Sequence, residues 1–217
     1  MLDIPSVKLV WITPDAEKLC GKIARVSNPR NEDNPKVSKL LNHMVKEGHW
    51  SPFEMISMCV EIVTTRAISA QILRHGKGFS FQEFSQRYAE ATQLVVPDLR
   101  RQDHKNRQNS IADIPKDLVD TYQQMITNHF ENAMDLYHRM LEAGIARECA
   151  RAVLPMNTAT RMYMVGPIRS FLFYTKLRCG NGTQLEHQEI AFKIKDILFQ
   201  QLPIISEVFF SDDDSLE

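Results

Sequence analysis

"FEMISMCVEIVTT", Phe53 to Thr65, constrains the fold more than any other stretch of this 217-residue chain. Side chains alternate across a strand. Here Ile56, Met58, Val60 and Ile62 fall on one side, and Met55, Cys59 and Val63 on the other. Both sides are largely apolar, so the segment reads as a central strand covered on both faces. "SVKLVWIT" sets Val7, Leu9 and Trp11 against Lys8 and reads as a first strand; "TATRMYMVG" reads as another.

The remainder is mostly helical. "PDAEKLCGKIARVS" follows Thr13, with Thr13 or Asp15 near its cap. Val37, Leu40, Leu41 and Met44 mark a second helix that ends at Gly48. "TRAISAQILRHG" forms a third, stopped at Gly76. A long amphipathic helix spans about residues 115–143, where Val119, Tyr122, Ile126, Phe130, Ala133, Tyr137, Met140 and Leu141 keep three-and-four spacing. "ARECARAVLP", "PIRSFLFYTKLR" with Pro167 at its start, and "TQLEHQEIAFKIKDILFQQL" complete the helices. "VPDLRRQDHKNRQNSIADIPK" reads as a surface loop and "SDDDSLE" as a frayed acidic tail. The expected class is a helix-rich mixed α/β (α+β) fold in a single domain, residues 1–217. Strands and helices do not alternate, and neither GxGxxG nor GxxxxGK[ST] occurs, so a Rossmann or P-loop architecture is not expected.

A net charge of -1 excludes bulk attraction to nucleic acid or membrane, so an anion must be captured by a local cluster. No apolar run is long enough to cross a bilayer, and the first residues lack the pattern of a signal peptide. Four cysteines without CxxC spacing point to no zinc site or other metal site and no disulfide framework. They read as reduced thiols of a cytoplasmic protein, or of one in a host cytoplasm if the chain is viral.

"RHGKGFSFQEFSQRY", Arg74 to Tyr88, mixes cations with three phenylalanines. A solvated face does not need the aromatic rings, and a core does not tolerate the charges. Gln71, Arg74 and His75 share one helix face, an amide, a guanidinium and an imidazole together. Ser80, Gln82, Glu83, Ser85 and Arg87 interleave with Phe79, Phe81 and Phe84. Arginine forks and hydroxyls hold phosphate, and phenylalanine walls a flat ring. The stretch therefore suits a flat anionic ligand such as a nucleotide. A second arginine series, Arg147, Arg151, Arg161, Arg169 and Arg178, lies downstream. Taken alone, Arg178 at the end of its helix is a cation suited to the helix dipole.

These motifs, with "GHWSPFE", "ARAVLP", "IRSFL", "LR" and "TQLEHQEIA" in order, resemble the flavin-dependent thymidylate synthase (ThyX) family from about Val7 to Leu202. The resemblance implies methylation of 2'-deoxyuridine 5'-monophosphate (dUMP) at C5, with methylenetetrahydrofolate as one-carbon donor and NADPH reducing through FAD. It also implies a homotetramer whose sites are shared between subunits. Carried over by motif, Gln71, Arg74, Glu83, Ser85, Gln86, Arg87 and Arg151 bind dUMP, with Ser85, Arg87 and Arg151 on its phosphate. Ser51, Arg74, His75, Lys77, Glu83 and Arg169 bind FAD, His49 lines the folate and flavin pocket, and Arg178 polarises the uracil.

The chain departs from the family pattern in three places. Gly76 replaces the third residue of an arginine-histidine-arginine triplet, with one extra residue before Ser80 and Lys77 as a substitute cation. Pro167 and Phe173 stand where polar flavin contacts are common; Phe173 could stack instead. "RCGNG" lacks a histidine, and His187 comes several residues later. Two alternatives are kept: one-carbon transfer to another pyrimidine nucleotide, such as hydroxymethylation of a cytosine nucleotide, and a catalytically silent nucleotide-binding homologue.

Overall fold

The computed structural model describes residues 4–91 and 93–211; the acidic tail beyond Ser211 lies outside them. The stretch read as a central strand is β2 (Ser57–Thr65). It pairs antiparallel with β1 (Ser6–Ile12) on one side and with β6 (Ala159–Pro167) on the other. A short strand, β3 (Ser80–Glu83), adds to the far edge of β6, giving the order β1-β2-β6-β3. The two-residue strands β4 (Arg101–Gln102) and β5 (Ser110–Ile111) make a separate hairpin inside the segment read as a loop. All these pairings are antiparallel, which accords with the absence of a Rossmann pattern.

One face of the sheet carries the core. Met58, Val60 and Ile62 of β2 and Met162 and Met164 of β6 are fully buried. They cluster with Phe171 and Leu172 of α6 (Ile168–Cys179) and with Ile190, Ile194 and Leu198 of α7 (Leu185–Gln201). The amino-terminal helices α1 (Ala16–Ala24) and α2 (Ser38–Lys46) close one end of this layer. The helix α8 (Pro203–Phe210), which the periodicity did not single out, packs against α2 and brings Phe209 and Phe210 into the core.

β1 departs from the expected alternation. A bulge between Leu9 and Trp11 shifts the register, so Val7 and Leu9 pack on the core while Trp11 turns outward. The helix α4 (Lys116–Glu142) matches the expected long segment, but of its stripe only Ala133 and Tyr137 are buried. They join Ala91 and Ala150 in a second, small cluster. Tyr122 of the same stripe stays exposed, as do its neighbours Leu118 and Met125.

β3 lies close against β6 because Gly166 has no side chain. A Cβ there would run into the Gly78 carbonyl oxygen and the Phe79 ring. Gly78 itself has φ 84, a left-handed conformation that glycine adopts without strain. Gly166→Ala should therefore destabilise the fold by about 1–3 kcal/mol, the usual range for overpacking. The midpoint of urea unfolding checks this, and an unchanged midpoint would show that β3 can retreat freely.

Candidate active site

The third helix, α3 (Arg66–Ile72), leaves β2 directly and continues as a 3-10 turn, Leu73–His75. Ile68 and Ile72 anchor it in the core. Their burial turns Gln71 and His75 toward α6 and α7, while Arg74, expected on the same face, is exposed. Arg178, in the last turn of α6, donates from Nε to His75 Nε2 at 2.8 Å. A nitrogen that accepts carries no proton, so His75 is neutral and protonated on Nδ1. Burial, then the charges of Arg178 and of the exposed Arg74, hold its pKa below the ordinary value.

His75 opens onto a cleft of about 440 Å³ whose walls include Glu54, Lys77, Phe79, Arg169 and Phe173. Arg169 pairs with Glu54, and its guanidinium carbon lies 6.0 Å from the centre of the Phe173 ring. Trp50 and Phe209 brace Phe173 edge-on, with ring centres 4.9 Å and 5.4 Å away. Ser51 begins the 3-10 turn Ser51–Glu54 and is exposed, as is His49, whose ring lies 5.9 Å from His43. Neither is a wall of the cleft; their neighbours Trp50 and Glu54 connect that turn to it.

A second cleft, about 420 Å³, is lined by Arg66, Gln86, Glu148, Arg151, Met156 and Thr158 among others. Gln86 is buried. Arg87 is held at its edge by Glu148, 3.1 Å away. Ser85 accepts the Arg87 amide N–H on its hydroxyl at 3.3 Å, shaping a tight turn. Glu83 accepts from the Thr160 hydroxyl at 2.9 Å and lies 3.4 Å from Arg66. Arg147, of the short helix α5 (Arg147–Ala150), pairs with Glu90, and Arg161 lies 4.0 Å from Glu61.

The expected residues thus fall into two groups. Gln71, His75, Lys77, Arg169 and Arg178 gather near the carboxyl end of α3; Glu83, Gln86, Arg87 and Arg151 gather near its amino end with Arg66. From Arg66 through the 3-10 turn to His75 the rise is roughly 15 Å. Among the described residues, no side-chain hydrogen bond or ion pair within one chain joins the groups.

Sequence reasoning missed Arg66, Glu148, Tyr174 and His187. The sign for Arg66 was electrostatic: a cation in the first turn of a helix opposes the dipole and needs another reason to be there. His187 was legible as buried, since it lies on the α7 stripe of Ile190 and Ile194. It is fully buried, with Nε2 2.9 Å from the Tyr174 hydroxyl and Nδ1 3.2 Å from Gln71 Oε1. Burial, then Arg178 and His75, lowers its pKa to about 4.

That shift predicts acid sensitivity. Unfolded His187 takes up its proton near pH 6.5, the folded residue only near 4. The stabilisation is complete above pH 6.5 and is lost as pH falls toward 4, on the order of 3 kcal/mol. Urea unfolding at pH 7 and pH 4.5 should show this loss, and His187→Asn should reduce it; equal slopes for the two proteins would contradict it.

The family model for thymidylate synthase complementing protein matches residues 8–204. The chain belongs to the flavin-dependent thymidylate synthase family. It is 48% identical over 190 residues to "Flavin-dependent thymidylate synthase" of Synechocystis sp., covering 88% of this chain and 87% of that one. It is 44% identical over 211 residues to "Probable flavin-dependent thymidylate synthase" of Paramecium bursaria Chlorella virus 1, covering 93% and 97%. Its fold is similar to that of the UMP/dUMP methylase PolB from Streptomyces cacaoi bound with 5-Br UMP. The TM-score is 0.86 at 26% identity, covering 97% of this chain and 95% of that chain.

The first cleft fits the family's FAD. An aromatic wall suits a flat ring, and Lys77 and Arg169 offer cations to a pyrophosphate. Phe173 is held firmly enough by Trp50 and Phe209 to serve as a stacking surface. Among the described residues, no group of three or more His, Cys, Asp or Glu could hold a metal ion.

Proposed function

We propose that this chain is a single-domain methyltransferase, residues 1–217, that converts dUMP to dTMP with methylenetetrahydrofolate as carbon donor. FAD, when bound, delivers reducing equivalents from NADPH to the transferred carbon. The observation that carries this reading is the hydrogen bond from Arg178 to His75, a wall residue of the aromatic, cation-rimmed cleft. A guanidinium placed there can stabilise negative charge spreading over a pyrimidine's N3 and O4, which makes C5 a better nucleophile. It stays charged throughout and needs no partner base. Bonding to His75 uses one of its several N–H donors and fixes its plane, leaving the others for substrate.

In this reading Gln71, Arg74, Glu83, Gln86 and Arg87 bind dUMP, with Ser85, Arg87 and Arg151 on its phosphate. Arg66 orients Glu83. Ser51, Arg74, His75, Lys77, Glu83 and Arg169 hold FAD, and His49 serves the folate and flavin pocket. The two groups at opposite ends of α3 complete one another across subunits of a homotetramer, and the open stripe of α4 supplies apolar surface for such contacts. We place the enzyme in the cytoplasm, or a host cytoplasm, in keeping with its four unbridged cysteines. No helix among the described residues is long and apolar enough to cross a membrane.

The test is anaerobic. Enzyme with FAD reduced beforehand is given methylenetetrahydrofolate and dUMP, and the product is identified by mass. Parallel reactions contain UMP, since the similar fold is that of a UMP/dUMP methylase, or dCMP. Thymidylate from dUMP supports the proposal. A hydroxymethyl product or preference for dCMP would establish the neighbouring chemistry, and nucleotide binding without flavin oxidation would establish a silent homologue.

A further inference from the structure

Beside the first cleft a polar chain runs from the buried Tyr174 and His187 through Gln71 to the exposed Gln184, and of these only Gln71 has an assigned role. Tyr174 OH and His187 Nε2 are 2.9 Å apart, His187 Nδ1 and Gln71 Oε1 3.2 Å, and Gln71 Nε2 donates to Gln184 Oε1 at 2.6 Å. Tyr174 is only 2% exposed and His187 0%. Burial keeps the Tyr174 hydroxyl protonated and His187 uncharged.

These facts set one direction for the chain. A neutral imidazole donates from one nitrogen and accepts on the other. With Tyr174 donating to Nε2, the proton of His187 sits on Nδ1 and points at Gln71 Oε1. The Gln71 amide nitrogen then faces Gln184, as found. The reverse direction would make the Tyr174 hydroxyl an acceptor from His187 and require a further acceptor for its own proton inside the core. It would also require both glutamine amides to turn over.

We infer that His187 is a positioning residue: its Nδ1–H fixes the Gln71 carboxamide so that Gln71 offers an N–H, and not its oxygen, to an acceptor oxygen of the bound nucleotide. This rests on the reading that Gln71 lines the nucleotide site. A free glutamine amide turns over at little cost and presents donor or acceptor alike; one whose oxygen is tied to a buried imidazole does not. The same imidazole ring is centred 6.5 Å from His75, and Tyr174 packs edge-on to His75 at 4.9 Å. The chain therefore supports both the Gln71 and the His75–Arg178 sides of the cleft.

The experiment measures the Kd of dUMP by calorimetry on the FAD-loaded enzyme. His187→Leu should weaken binding about tenfold, as expected for one misdirected hydrogen bond. His187→Asn, whose amide can stand in for Nδ1–H, should restore most of the affinity. His187→Gln, which reaches toward Tyr174 instead, should not. Tyr174→Phe keeps the ring and removes the donor, and should give a loss between these. In the Gln71→Ala background, His187→Leu should cost nothing further. A purely structural role would predict equal losses for Asn and Gln and a full loss in that background; either result overturns the inference. Nitrogen NMR of the imidazole should show the proton on Nδ1, and a proton on Nε2 would equally refute it. If Gln71→Ala alone leaves the Kd unchanged, Gln71 does not touch nucleotide, and the underlying site assignment falls with the inference. If Gln71→Ala weakens binding but His187→Leu does not, only the inference falls.

Discussion

Arg178→Ala should leave FAD bound and reduce methyl transfer about a thousandfold, the upper range for removing one preorganised charge stabiliser. The side chain ends α6 and donates to His75, so its loss affects the reacting ring and the histidine together. Two readouts separate these effects. Flavin absorbance of the purified variant reports cofactor retention, and single-turnover formation of thymidylate reports the chemical step. The pKa of His75 should also rise toward its ordinary value, because the Arg178 charge is one of the causes that lower it. Arg178→Lys should not rescue turnover, since an ammonium lacks the planar fork. Turnover equal to wild type in the alanine variant would remove Arg178 from the chemistry.

Arg87→Ala should weaken dUMP binding by about 2–5 kcal/mol, the range for truncating one partner of a buried charge pair. Within one chain the Arg87 side chain is 57% exposed and faces Glu148. A pair so open contributes about 1 kcal/mol or less to stability. The variant should therefore unfold like wild type while its Kd for dUMP rises steeply. That combination requires the phosphate and a neighbouring subunit to bury the guanidinium on binding. Wild-type affinity would take Arg87 out of the phosphate site, and a large fall in stability would show that the Glu148 pair is structural.

Much of this was legible in the residues. The apolar pattern of β2 located the middle of the sheet, but the core cluster takes only its Met58, Val60 and Ile62 face and not Cys59 or Val63. Three-and-four spacing put Gln71 and His75 on one face, which the burial of Ile68 and Ile72 then aimed at α6 and α7. Other features were not legible. The bulge that turns Trp11 outward leaves the alternation of β1 intact on paper. The strand character of Ser80–Glu83 was masked by its charged and polar residues, since an edge strand backed by a glycine needs little apolar sequence of its own. Arg66 and His187 act through partners about eighteen and 116 positions away, Phe84 and Gln71. The dipole conflict at Arg66 and the apolar stripe around His187 were local signs, but separations of this size leave the partner itself unmarked.

The helix α3 acts as a spacer with one permitted length. Each residue of an α-helix advances the azimuth by about 100°. One insertion between Arg66 and Gln71 would swing the amide and the imidazole off their neighbours while leaving the arginine in place. The same insertion beyond His75 rotates nothing, because the turn through Gly76 and Gly78 can absorb it. That turn is the side of the spacer where length is free to drift.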